Sequence, residues 1–343
     1  MLRYLLVYIL FILTSVIEVL TKKKVLLLFL FCFVYLMLLA GLRGDSGIDT
    51  KNYLEFFGDA TSKNASSYNL DYGFVYFSAI IKVIYDNPVF YFIVIATLAI
   101  GLKMYVVWKL SPLPIITSAI LFGTYFLPLE TNQIRQGIAL GFTLLAVLYR
   151  VRNKKVYFFA SILIGSCFHI SAVLFTVIWF LKRKITSAYL LGIVRLSFFF
   201  VFISTEFLIT NIVGFGLFWN EFMYAKLINY ASKMEPVGFS PIQLWYILST
   251  LFFFYFRKFV KSEIFDFLLN IFVLGIALNF FLNSFSYMLR ITYYFLAVEV
   301  LLLGIALYHS RHFLNRLTIL IVVFLLIFFK NYSYYFENID VYK

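Results

Sequence analysis

VFYFIVIATLAIGLKMYVVW, residues Val89–Trp108, decides the fold. It carries one charge, Lys103, and no proline. Wound as a helix at about 1.5 Å per residue, a run of this length covers roughly 30 Å, the thickness of bilayer hydrocarbon. Working outward, comparable apolar runs recur at Tyr4–Leu20, Val25–Gly41, Ile115–Leu129, Ile134–Tyr149 and Val156–Leu181. The second half adds Ile185–Thr205, Pro241–Phe256, Ile264–Leu282, Ile291–Tyr308 and Leu317–Phe329. These runs are continuous rather than alternating, so they predict spanning helices and not a β-barrel. Composition agrees: 63% hydrophobic, 13% charged, mean hydropathy +0.94. A soluble chain carries roughly 25% charged residues. The expectation is an all-α, polytopic transmembrane bundle of roughly 11–12 spans. It is read as one integral membrane domain over residues 1–343, with larger outer loops at about 43–88 and 206–240. The first run lacks a small-residue cleavage site and reads as a retained span.

The net charge of +13 does not point to nucleic acid, because the basic residues sit in short clusters between apolar runs. They are Lys22–Lys24, Lys103 with Lys109, Arg150–Lys155, Lys182–Lys184, Arg257–Lys261 and Arg311–Arg316. The positive-inside bias puts all six in the cytoplasm. Parity then requires the chain to enter and return between Lys155 and Lys182. Val156–Leu181 therefore reads as a hairpin broken at His169-Ile170-Ser171 with an outward tip, against a rival reading as one long helix. Cys32 and Cys167 both lie in apolar runs and predict neither a disulfide nor a metal site.

Under this topology Arg43, Arg135, Arg290 and His169 share an outward layer, where arginine is disfavoured. A lone arginine at a helix end usually snorkels to headgroups. Three on the disfavoured side point instead to an anion, and guanidinium suits phosphate. Arg135 also falls in the first turn of its helix, with Thr131 or Asn132 as candidate cap. Arg43-Gly44-Asp45-Ser46-Gly47-Ile48-Asp49 opens the first outer loop. Its carboxylates could take a proton, orient an arginine or hold a sugar hydroxyl; the competing reading is a polar turn with Asp as a helix cap. The aromatic stretch from Asp71 to Phe77 is expected at the membrane interface, and 206–240 as amphipathic surface helix. For His169 the bland alternative is a polar residue hydrogen-bonded between helices. His309 and His312 read as solvated.

Gly41-Leu42-Arg43-Gly44 with Gly47-Ile48-Asp49-Thr50 and Asn52-Tyr53 resembles the signature of the EpsG family of bacterial polysaccharide polymerases, relatives of the Wzy O-antigen polymerases. Asn132-Gln133-Ile134-Arg135-Gln136-Gly137-Ile138-Ala139, Cys167-Phe168-His169-Ile170-Ser171-Ala172 and the weaker Arg290-Ile291-Thr292-Tyr293-Tyr294-Phe295 follow in the same order. The resemblance implies a glycosyltransferase of the bacterial plasma membrane with its site facing outward. It would move a growing glycan from undecaprenyl diphosphate to a new lipid-linked repeat unit. It further implies Arg43, Arg135 and Arg290 on the diphosphate and His169 or Asp49 as general base, with Arg135 beside the reaction. Asn52, Gln136 and Tyr293 would contact substrate. No cofactor and no metal are expected, since arginines can neutralise the phosphates. Expected partners are the lipid-linked oligosaccharide, membrane lipid, a chain-length regulator and a flippase. The rivals are a flippase or other transporter, a ligase-type transferase, and an acyltransferase using His169.

Overall fold

The computed structural model describes residues 2–44, 46–61, 68, 70–202, 239, 241–283, 286–310, 316–317, 320–321 and 323–324. Asp45, His312, nearly all of the second outer loop and most of the run Leu317–Phe329 lie outside them. The described residues form helices joined by turns and short loops, with no strand among them. Among the described residues four helices are long and apolar enough to cross a membrane: Pro88–Leu110, Ile134–Val151, Glu263–Phe281 and Leu289–His309. Shorter apolar helices accompany them.

The chain divides into two compact units, residues 1–179 with 303–343, and residues 180–302. In the first unit, α1 (Leu2–Thr21) packs on α6 (Pro114–Tyr125), and α2 (Leu26–Gly41) on α5 (Pro88–Leu110). α7 (Ile134–Val151) lies between α5 and α8 (Lys155–Phe168). The region expected as an outer loop holds two helices, α3 (Thr50–Asp59) and α4 (Tyr72–Ile84). Their aromatic faces close over the ends of α5, α7 and α8 in one core containing Tyr53, Phe56, Phe57, Phe74, Tyr91 and Phe168. Phe57 stacks on Tyr91 with centroids 4.4 Å apart. The stretch from Asp71 to Phe77, expected at the membrane interface, is helical from Tyr72 on. It opens α4, turning Phe74 into the core while Tyr72 and Tyr76 stay exposed. Tyr72 and Tyr76, four apart, share one helix face, and Phe74, two from each, falls on the opposite one.

Residues 156–181 form the hairpin. α8 ends at Phe168, His169 is extended (φ −155°, ψ 110°), and a 3-10 segment runs from Ile170 to Trp179. Trp179 comes back beside Phe158 and Phe159 near the start of α8, with centroids 5.1 and 5.6 Å away. Arg150 fastens the return, donating from Nε to the Trp179 carbonyl at 3.1 Å with its guanidinium 4.8 Å from the indole.

Basic side chains gather at the C-terminal ends of these helices. Lys24 Nζ donates to the Trp108 carbonyl (2.8 Å) and Lys22 Nζ to the Tyr308 carbonyl (3.0 Å), where helix dipoles favour cations. Lys103 departs from its expected place with Lys109. It is buried and forms an ion pair with Glu130. An ammonium in an apolar helix bundle is tolerated only with such a partner.

In the second unit, α9 (Ser187–Phe198) and α10 (Pro241–Arg257) pack on α11 (Glu263–Phe281), followed by α12 (Ser286–Leu296); α13 (Glu299–His309) begins there and from residue 303 belongs to the first. Arg257 ties its basic turn together, with Nε on Asp266 at 2.7 Å and Nη2 on the Ile185 carbonyl at 2.7 Å.

Candidate functional site

The site is built around the turn between α6 and α7. After Tyr125 the helix widens into a π-helical segment, Phe126–Asn132, in which the Gln133 amide donates to the Pro128 carbonyl at 2.9 Å. Pro128 has no N–H to donate, and such a local widening aims carbonyls and side chains that a regular helix would hide. The Glu130 and Thr131 carbonyls both accept from Arg43 Nη1, at 2.8 and 3.0 Å. Arg43 is itself buried, its guanidinium carbon 3.8 Å from the Phe92 ring centroid. Stacking and planar donors explain why the last residue before the loop is arginine.

Asn132 faces the loop that follows Arg43. Its Oδ1 accepts the Ile48 amide at 2.6 Å and its Nδ2 donates to the Leu127 carbonyl at 3.3 Å. Gly47 (φ +109°) is what allows this approach. A β-carbon there would overlap the Thr131 carbonyl oxygen and the Thr50 hydroxyl. Neither Thr131 nor Asn132 caps α7, contrary to the sequence-based expectation. Gln133 holds the cap position without a side-chain bond, and the Thr131 hydroxyl turns back to the Leu127 carbonyl at 2.6 Å. The Thr131 hydroxyl and the Asn132 amide nitrogen bond back into the π-segment, and the Asn132 oxygen is taken by the loop.

Arg135 lies in the first turn of α7 and pairs with Asp71, Nη1 to Oδ2 at 2.5 Å. The other Asp71 oxygen accepts the Ile170 amide at 3.1 Å. His169, at the hairpin tip, has Ser171 Oγ 2.6 Å from its Nδ1, a contact that sets the ring's orientation. Gly73 lets α4 press against α8, since a β-carbon would meet Cys167 at 2.6 Å. The Tyr53 hydroxyl lies against the Arg135 guanidinium. Burial pushes that hydroxyl above its usual range; Arg135 opposes the shift and Asp49 adds to it.

So Arg43, Arg135, His169 and Asp49 fall in one connected region at the end of α5 opposite Trp108 and its basic neighbours. Asp49 stands at the N-cap position of α3, where the capping reading placed it, but makes no side-chain cap bond. Gln136 is buried in α7, whereas Asn52 is exposed on α3. Arg290 and Tyr293 belong to the second unit, one turn apart on α12, with Arg290 exposed. Arg290 sits in the second turn of that helix rather than at its start.

Three participants escaped the sequence reading. Asp71 was hidden inside an aromatic stretch. Tyr53 was one of many tyrosines. Glu130 did carry a signal, as a carboxylate at the end of an apolar run, where a charge needs a partner or a task.

In chemical terms the region combines guanidinium groups with an imidazole and carboxylates at a helix N-terminus, a set suited to holding an anion and moving a proton. No curated protein and no solved structure matches the chain. The family model of EpsG matches residues 26–343, nearly the whole chain. The chain therefore belongs to the EpsG family, and with its long apolar helices it is a membrane protein of the polysaccharide-polymerase type.

Proposed function

We propose that the protein is a metal-independent glycosyltransferase that polymerises lipid-linked repeat units on the outer face of the bacterial plasma membrane. The growing glycan leaves undecaprenyl diphosphate and joins a sugar hydroxyl of a new unit. The general base takes the hydroxyl proton, the freed oxygen bonds to the anomeric carbon, and the carbon–oxygen bond to the diphosphate breaks. The electron pair departs with the lipid diphosphate. Direct displacement of this kind inverts the anomeric centre.

Arg43, Arg135 and Arg290 neutralise the diphosphate as its charge develops. His169 or Asp49 is the base, with an imidazole well matched to neutral pH. Asn52, Gln136 and Tyr293 contact the sugar or diphosphate. The whole chain acts as one membrane domain of roughly 11–12 spans, with outer loops near 43–88 and 206–240. Its partners are lipid-linked oligosaccharides, membrane lipid, a chain-length regulator and a flippase.

The observation that carries this reading is the joining of Arg135 to the His169 turn through Asp71, away from the basic helix ends of the same unit. That pairing brings a leaving-group cation and a candidate base to one place. The test is the length distribution of surface polysaccharide in a deletion strain complemented with wild type or Arg135→Ala. Single repeat units in the deletion, a ladder with wild type and none with Arg135→Ala support the reading. Loss of even single units from the surface means that the protein acts upstream, as a flippase or an earlier transferase.

A further inference from the structure

Asp71 divides its carboxylate between two partners that are far away in the chain. Oδ2 pairs with Arg135 at 2.5 Å, and Oδ1 accepts the Ile170 amide at 3.1 Å. The first partner is the cation in the opening turn of α7. The second is the residue directly after His169, at the point where the hairpin turns. Asp71 is itself held in place: it precedes α4, whose Phe74 is fully buried and whose Gly73 rests on Cys167 at the end of α8.

Both carboxylate oxygens are engaged, so Asp71 is not arranged to accept a proton from substrate. Its bond to Arg135 occupies one nitrogen of a guanidinium that has five N–H donors. The buried Arg135 Nε–H meets no acceptor among the described residues, and 24% of the side chain stays exposed. A carboxylate that grips one corner of an arginine orients the fork while leaving it donors for an anion, as outer-shell carboxylates orient metal ligands. The same carboxylate fixes the backbone on which His169 is carried.

We infer that Asp71 is a positioning residue for glycan transfer, holding the Arg135 guanidinium and the His169 turn in one fixed arrangement so that diphosphate and acceptor hydroxyl are met together. This rests on the polymerase reading above. The effect of Asp71 is exerted through Arg135 and His169, so it belongs to kcat and depends on Arg135 being present.

The experiment uses full-length protein in liposomes with lipid-diphosphate-linked repeat units extracted from the deletion strain. Asp71→Asn keeps an acceptor for the Ile170 amide and replaces the charged acceptor facing Arg135 with an amide NH2. The expected result is a fall in kcat of about 10- to 100-fold per folded molecule, with KM roughly unchanged. Asp71→Glu, which restores the carboxylate, is expected to recover part of that loss. In an Arg135→Ala background, Asp71→Asn should change the residual rate by less than about 2-fold, because the group it acts through has gone. Thermal unfolding in detergent gives the folded fraction for each variant. A rate per folded molecule equal to wild type in Asp71→Asn overturns the inference and leaves the polymerase reading standing. So does a loss that appears equally in the Arg135→Ala background. Wild-type protein that extends no chain overturns the polymerase reading itself.

Discussion

Asn132 reaches across 84 positions of sequence to accept the Ile48 amide at 2.6 Å, and this bond closes the loop after Arg43 onto the π-helical turn. Asn132 is 2% exposed while Ile48 stands at the surface, so the bond is shielded from water at its acceptor end. Removing a buried acceptor leaves its donor unsatisfied, at a cost of about 1–3 kcal/mol. Asn132→Ala is expected to lower thermal stability in detergent by about that amount and to shorten the polysaccharide made in cells. Asn132→Asp, which keeps the acceptor oxygen, should retain more of both. Equal stability of the two variants would show that the loop is held by other contacts.

Gly47 is the other half of that closure. With φ at +109° and the Thr131 carbonyl against it, any side chain is strained in conformation and in space. Alanine at a positive φ destabilises by more than about 1 kcal/mol. Gly47→Ala should therefore abolish long polymer, whereas Gly44→Ala, with nothing within 4 Å of its β-carbon, should leave more of it despite a positive φ. Polysaccharide ladders from the two strains, compared at equal protein level, decide this.

The Lys103–Glu130 pair makes a prediction about sign. Breaking a buried pair by removing one member costs about 3–5 kcal/mol, because a charge is stranded. Lys103→Met alone should be strongly destabilised. The double variant Lys103→Met with Glu130→Gln should regain most of the loss. Unfolding midpoints of the single and double variants measure the coupling directly, and additive losses would contradict the pair's mutual dependence.

Arg43 separates charge from shape. Lysine preserves the charge but loses the flat contact with Phe92 and the planar donors aimed at the Glu130 and Thr131 carbonyls. Arg43→Lys is expected to make shorter polymer than wild type, with a stability loss of about 1–3 kcal/mol. Wild-type chain length in Arg43→Lys would mean that a positive charge alone suffices at this position.

The segment 156–181 shows how far reading alone could go. Basic clusters on both sides forced a return, and a polar interruption marked where it must occur, so the break at His169 was legible. Asp71 as its clamp was not, because the carboxylate precedes Ile170 by 99 positions and sits among aromatics that mask it. Lys103 was misplaced for a related reason: a cation near a basic helix end looks cytoplasmic until its acidic partner is found. The caps assigned to Thr131 and Asn132 failed because local rules assume a regular helix start, and the π-segment ahead of α7 is not one.

Sequence by itself determined that this chain is a helical membrane protein of the EpsG family, and that Arg43, Arg135 and His169 were the side chains to watch. Hydrophobic run length and charge placement are local properties, and the bilayer reads them locally. The tertiary structure alone decided that Arg135 and the His169 turn meet on one carboxylate, that Glu130 pairs with Lys103, and that Gly47 must be bare for Asn132 to reach Ile48. Each of these joins residues dozens of positions apart, and packing between helices, not spacing along one, determines which of them touch.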